Sequence, residues 1–306
     1  MWAYLASRLV WTVLMMVGIS ILVFLTMHLA PGDPAHLVAG LDAPPEVVER
    51  IRKDLGLDRP VWAQYVEYVR RVLKGDFGRS LHSKTRVSEQ LTVRLPVTIK
   101  LALLALGFGL PLGIVTGVIS ATHHRSWFDH IAMVVALVGA SVPIFFLGLL
   151  LLMLFAMQLG WLPVSGGTSL RYLVLPAITL GTRPAALISR LTRTSMLEVL
   201  REDYIRMARA KGLAERVVTY KHALRNALTT VITAIGVQMG VLLAGSVVTE
   251  AVFGLPGIGR MMVSSILNRD FPMVQAPLLM IACSFMLVTL LVDVVYTMID
   301  PTIRYS

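Results

Sequence analysis

Residues 101–121 read LALLALGFGLPLGIVTGVISA, and this stretch of 21 residues contains no charged side chain. An apolar run of about 20 residues is long enough to cross the hydrocarbon core of a bilayer as an α-helix. Helices satisfy their backbone hydrogen bonds internally, which the bilayer core requires. The stretch therefore predicts a membrane-spanning helix.

The rest of the chain repeats this pattern. Of its 306 residues, 56% are hydrophobic and only 15% are charged, whereas soluble domains carry about a quarter charged residues. Five further apolar stretches predict spans at 9–30, 131–159, 172–190, 228–249 and 276–299. Pro143 is expected to kink the third of the six spans. We therefore predict an all-α membrane protein with six transmembrane helices.

Positive charges predict the orientation of these spans. The first follows Arg8 and has no small-x-small cleavage site, so residues 1–30 are expected to be a retained anchor. Together with Arg8 and Arg190, the segments 122–130, 191–227 and 300–306 hold twelve Lys and Arg residues, whereas the short loops on the other face, 160–171 and 250–275, hold three. Basic residues collect on the cytoplasmic side, so both termini are predicted to be cytoplasmic. This placement explains the net charge of +10 without a nucleic-acid partner.

Residues 31–98 are predicted to form a small extracytoplasmic domain between the first two spans. Pro45–Leu55 and Pro60–Leu73 have helical patterns, each with proline in the first turn, and Gly75 favours a stop. Residues 99–306 would then form a core of five helices.

The most informative loop is cytoplasmic and covers residues 196–226. Leu197, Leu200, Tyr204 and Met207 recur at helical spacing, which predicts one apolar stripe. Gly212 favours a sharp turn into a second helical piece. The pattern is typical of a docking helix for a partner groove, and equally of a helix lying at lipid headgroups.

The same loop resembles a known family. Asp203-Tyr-Ile-Arg-Met-Ala-Arg-Ala-Lys-Gly212, followed by His222-Ala-Leu-Arg-Asn-Ala227, resembles the EAA loop of binding-protein-dependent ABC importer permeases. The form is that of the dipeptide, oligopeptide, glutathione and nickel branch, although Arg206-Met-Ala208 stands where the broad consensus has Glu-Ala-Ala.

Other strings in the chain are similar to the same branch, and the resemblance covers essentially the whole length. They are, in order, Pro31-Gly-Asp-Pro34, Leu55-Gly-Leu-Asp-Arg-Pro60, Gly75-Asp-Phe-Gly-Arg-Ser80, Leu95-Pro-Val-Thr98, Phe253-Gly-Leu-Pro-Gly-Ile-Gly-Arg260 and Asp300-Pro-Thr-Ile-Arg304.

The resemblance implies a permease subunit in the bacterial inner membrane that carries dipeptides, oligopeptides or glutathione into the cytoplasm. Nickel chelates or other small solutes are the alternative cargo. The implied partners are a second related permease, two ATPase subunits that bind ATP and Mg²⁺, and an extracytoplasmic solute-binding protein. The residues expected to couple the chain to an ATPase are Asp203, Tyr204, Ala208, Ala210, Lys211, Gly212 and Leu213.

Two charged residues lie within the predicted spans. Arg183 would either snorkel to the interface or line a polar pathway, and Asp293 would face a pore or pair with another helix. Gly109, Gly113 and Gly117 favour close helix packing. The sequence has no Gly-Lys dipeptide and therefore no phosphate-binding P-loop, so we expect a non-catalytic subunit without a cofactor or metal site. A stand-alone channel or secondary transporter would leave the 196–226 loop without a use.

Overall fold

A computed structural model describes residues 2–29, 33–39, 43–54 and 56–299. The described chain is almost entirely helical, with one isolated β-bridge between Arg79 and Arg86. The helices are α1 Trp2–Leu29, α2 Pro34–Ala39, α3 Pro45–Asp54, α4 Val61–Leu73, α5 Val87–Thr122, α6 Trp127–Ser141, α7 Ile144–Leu151, α8 Leu170–Val199, α9 Asp203–Ala210, α10 Glu215–Val217, α11 Leu224–Val252, α12 Ile258–Leu267 and α13 Phe271–Ile299. Two π-helical segments, Leu152–Gln158 and Val218–Ala223, continue α7 and α10.

Within the described residues, five helices are long and apolar enough to cross a membrane: α1, α5, α8, α11 and α13. The pair α6 and α7 gives a sixth span if it is counted as one, although its two parts are bent by 106°. The prediction of one kinked helix over 131–159 was therefore wrong in its geometry. Val142 and Pro143 both take extended conformations. Val142 does so because the helical region is disfavoured for a residue before proline.

The second span begins earlier than predicted. Helix α5 starts at Val87 and continues without interruption to Thr122, so the predicted domain boundary at 98/99 falls within it. The described part of the chain divides into two compact units. One comprises 98–255 and 285–299, and the other comprises the described residues between 2 and 97 together with 256–284.

The first unit is built on a close crossing of α5 and α8. A Cβ atom added at Gly109, Gly113 or Gly117 would lie 2.5–2.7 Å from a backbone oxygen of α8. Gly181 of α8 approaches α5 equally closely, since its added Cβ would lie 2.4 Å from the Ala105 oxygen. The predicted glycine packing is thus confirmed, and α8 in turn packs against α6, α7 and α11.

The second unit joins the segment after α1 to α12 and the first half of α13. Val87, Ile258 and Met261 are buried together with Met273. Ser80 donates a hydrogen bond to the buried carboxylate of Asp270, which also accepts one from the Leu81 amide at 3.1 Å. The two predicted helices are confirmed as α3, Pro45–Asp54, and α4, Val61–Leu73, whereas Leu55 lies outside the described residues. Gly75 has a φ of +75° just beyond α4.

Candidate coupling surface

Helix α9 is short because the sequence closes it at both ends. A turn over Leu200–Glu202 separates α9 from α8, and Asp203 places a negative charge in its first turn, where the helix dipole favours it. At the other end Gly212 has a φ of +78°, the left-handed conformation that glycine adopts without steric cost. Its amide bonds the Arg209 oxygen at 2.9 Å, and the Leu213 amide bonds the Ala208 oxygen at 3.3 Å. This pair of bonds is a Schellman cap.

An ion pair braces the turn around Gly212. The Arg209 guanidinium donates to both carboxylate oxygens of Glu215, at 3.1 Å and 2.7 Å. This side-chain hydrogen bond holds the pKa of Glu215 below its ordinary value. The brace is therefore intact above that ordinary pKa and is lost as the pH falls through the lowered one.

The inner face of α9 is fixed to the ends of the spans. Ile205 is fully buried and Ala208 is 8% exposed. They belong to one apolar cluster drawn from α5, α8, the π-helical segment and α11, whose other buried members are Val118, Ala121, Met196, Val218, Ala223 and Ala227. Helix α9 therefore shares one buried apolar cluster with residues of α5, α8 and α11.

The outer face of α9 differs from the predicted stripe. Tyr204 and Met207 are 42% and 60% exposed, whereas Ile205 carries the burial. The stripe fails because Leu197 precedes the turn at 200–202 and Leu200 lies in it, so neither continues on the α9 surface. Tyr204 is held by a 2.6 Å hydrogen bond that Asn226 donates to its hydroxyl.

The residues predicted for coupling therefore separate into two groups. Asp203, Tyr204, Ala210, Lys211, Gly212 and Leu213 are exposed together on α9 and its cap. Ala208 faces the apolar cluster instead. The exposed group, together with Met207, is called the coupling surface below.

A buried carboxylate ties the loop between α5 and α6 to the end of α8. Arg193 donates to both oxygens of Asp129, at 2.6 Å and 2.8 Å, and the Arg125 amide donates at 3.0 Å. Ser120 donates a further hydrogen bond to the same carboxylate, and His124 lies 3.4 Å away. Sequence reasoning missed this cluster. A visible signal was Ser126, which is the N-cap of α6 and accepts a hydrogen bond from the Asp129 amide.

Three other ionisable residues lie within predicted spans or beside them. Arg183 is exposed on α8, while the side chain of Asp293 lies outside the described part of the chain. Glu250 is fully buried and accepts a 2.6 Å hydrogen bond from Thr98. Sequence reasoning did not single out Glu250, because the predicted span ended one residue before it. Among the described residues, no group of His, Cys, Asp and Glu could hold a metal ion.

Known proteins are similar to this chain in sequence and in fold. Residues 109–305 match the family described as the binding-protein-dependent transport system inner membrane component, and residues 1–102 match its N-terminal region. The chain is 43% identical over 303 residues to the glutathione transport system permease protein GsiC of Escherichia coli K12, covering 99% of both chains. The same identity and coverage hold for GsiC of Pectobacterium atrosepticum.

A solved structure supports the fold alone. An inward-facing MetNI methionine ABC transporter chain matches with a TM-score of 0.60 at 16% identity, and the match covers 69% of this chain and 96% of that one. The sequence matches extend over nearly the full length. This chain therefore belongs to the binding-protein-dependent transport system inner membrane components and is a permease subunit of an ABC importer.

Proposed function

We propose that this permease carries glutathione or short peptides into the cytoplasm. The support is its full-length similarity to permeases named for glutathione transport. Nickel chelates and other small solutes are the second candidate cargo.

Two kinds of partner protein are implied by the family description itself. A binding-protein-dependent importer works with a solute-binding protein and an ATPase. We further infer a second related permease and two ATPase subunits, with ATP and Mg²⁺ bound by the ATPases and no cofactor in this chain.

We propose that the coupling surface docks into the ATPase and transmits its movement to the spans. One observation carries this: Ile205 of α9 is buried in one apolar cluster with residues of α5, α8 and α11, whereas Tyr204, Met207 and Leu213 are exposed. The cap at Gly212 and the Arg209 brace hold the turn in shape. A rigid, exposed helix joined to several spans can bias them between two arrangements when its partner moves. Its face fits a helix-in-groove contact.

The proposed orientation places α9 in the cytoplasm with both termini. The twelve basic residues on that side against three in the short loops opposite support it. Residues 31–98 would then be extracytoplasmic, on the side where the solute-binding protein delivers its cargo.

Charge substitution on the coupling surface tests the docking. Met207→Glu should reduce ATPase recovery with the tagged permease by at least about tenfold, as expected for a residue central to an interface. Tyr220→Glu is the control, because Tyr220 is 59% exposed but lies outside α9. Thermal unfolding of both variants should match the parent, since neither side chain is buried. Equal ATPase recovery with the two variants would refute the docking and favour the alternative in which α9 lies at lipid headgroups.

Uptake assays identify the cargo independently of docking. Vesicles containing the assembled transporter and its binding protein should accumulate labelled glutathione or a dipeptide when ATP is supplied. If nickel chelates compete for uptake and peptides do not, the peptide proposal is refuted. The docking proposal is not affected by that result.

A further inference from the structure

Helix α4 crosses α1 inside the predicted span. Tyr65 and Ser20 share a hydrogen bond of 2.7 Å between their hydroxyls, and the Phe24 ring lies 5.4 Å from the Tyr65 ring. Gln64 and His28 are joined at 3.2 Å. Ser20 lies nine residues before the last residue of the span, Leu29, or about 13 Å along a helix that rises 1.5 Å per residue. Part of α4 therefore lies at the depth of the bilayer.

The surface of α4 divides into three sectors. One sector, with Tyr65 and Tyr68, faces α1. A second is apolar and exposed, with Trp62 at 72%, Val66 at 59% and Leu73 at 82%. Residues 62, 66, 69 and 73 are three or four positions apart, so they line one face of the helix.

The third sector of α4 is charged. Arg70, Arg71 and Lys74 are exposed, and Glu67 pairs with Arg71 at 3.2 Å. A helix with an apolar face, a basic face and an aromatic residue at its start has the composition of one lying in the plane of a membrane interface. Trp is enriched at that level because its ring is apolar and its N–H is polar.

We propose that the stripe formed by Trp62, Val66, Val69 and Leu73 inserts into the lipid leaflet at the Leu29 end of α1. The occupant is lipid because the stripe adjoins α1, and only 11% of the most apolar stretch of α1 is buried within the chain. The stripe thus continues a surface that already faces hydrocarbon. Arg70 and Lys74 then reach the phospholipid headgroups, and Tyr65 and Tyr68 hold α4 against α1.

Spin labels at single cysteines test the insertion. The only cysteine, Cys283, is first replaced by alanine, and cysteines are introduced at Val66 or Leu73, with Arg70→Cys and Lys74→Cys as controls on the same helix. The complete transporter is reconstituted in vesicles of phosphatidylethanolamine and phosphatidylglycerol. Labels at 66 and 73 should collide more with oxygen, which partitions into lipid, than with a water-soluble nickel chelate. Labels at 70 and 74 should show the reverse order.

Two outcomes would overturn the proposal. Preferential collision of the labels at 66 and 73 with the nickel chelate would place the stripe in water. Poor access of both reagents at 66 and 73 would mean that a protein, either the second permease or the solute-binding protein, covers the stripe. All four positions are exposed and none contributes to a buried cluster, so the variants should fold.

Discussion

Helices α1 and α8 are both long and apolar enough to cross the membrane, but they are opposite in character. The most apolar stretch of α1 has a mean hydropathy of 2.5, and 11% of it is buried. The corresponding stretch of α8 has a mean hydropathy of only 1.2, contains two prolines, and is 67% buried. In a soluble protein the more apolar helix would be the buried one. Here lipid accepts apolar side chains as readily as a protein core does. The less apolar helix, α8, is therefore the one that other helices surround.

Helix α8 is stabilised by close packing of small residues rather than by high hydropathy. Between helices in lipid, close packing of small residues supplies much of the association energy. Gly113 and Gly181 permit that closeness, and an arginine of α8, Arg193, finds its carboxylate within the protein. Three experiments can test this contrast.

The largest effect is expected from closing the gap between α5 and α8. In Gly113→Leu the new Cβ atom would lie 2.7 Å from the Ala185 oxygen and 2.8 Å from the Ile188 Cβ. Both helices would have to separate, at a cost above the roughly 1–3 kcal/mol typical of overpacking. Most of the protein should be lost from the monodisperse peak in size-exclusion chromatography.

Gly107→Leu is the matched control, because nothing lies within 4 Å of its added Cβ and the position is exposed on the same helix. A parent-like yield is expected. Equal losses for the two variants would show that the added leucine side chain disturbs α5 at any position, and that the close approach to α8 is not the cause.

A smaller effect is expected from removing the same side chain in each helix. Leu180 is 2% exposed, and its Cδ1 lies 3.3 Å from the position of a Cβ added at Gly245. Leu180→Ala would leave a cavity and cost about 2–5 kcal/mol. Leu14→Ala should change stability little, since Leu14 is exposed on α1 and lipid fills the space. Thermal unfolding in detergent compares the two, and a larger loss for Leu14→Ala would contradict the contrast between α1 and α8.

The smallest of the three effects concerns the polar anchor of α8. Asp129→Asn removes the charge that Arg193 contacts and weakens bonds of the charge-assisted kind, at about 1.5–3 kcal/mol. The cost stays limited because Arg193 is partly exposed and can reach water. Asp203→Asn is the control, since its ion pair with Arg206 is exposed and such pairs contribute about 0–1 kcal/mol. A larger loss of thermal stability in Asp203→Asn than in Asp129→Asn would mean that water, not Asp129, solvates Arg193.

Much of this fold was predictable from the sequence because hydropathy and membrane thickness constrain it so strongly. The spans at 9–30, 172–190, 228–249 and 276–299 correspond to α1, α8, α11 and α13. The early start of α5 was not visible, since residues 87–100 carry charges and read as part of the segment before the span. The right-angled turn at Pro143 was not visible either, because proline in an apolar run is compatible with a mild kink or a complete break.

The sequence correctly predicted a short helix that ends near Gly212, but not which of its faces is buried. A helical-wheel reading joined Leu197 and Leu200 to Tyr204 across a turn that lacks glycine or proline. Only the packed structure shows that Ile205 faces inward. Likewise, no local pattern pairs Glu250 with Thr98, which lies 152 residues away in sequence.

The break between α6 and α7 has a consequence for the assembled transporter. Pro143 has no amide hydrogen, and the extended conformations of Val142 and Pro143 interrupt the ladder of backbone bonds. Carbonyl groups released in this way cannot be left in contact with hydrocarbon. Both Ser141 and Pro143 are exposed on this chain. Wherever this corner meets the bilayer core, protein or water rather than lipid must therefore cover it.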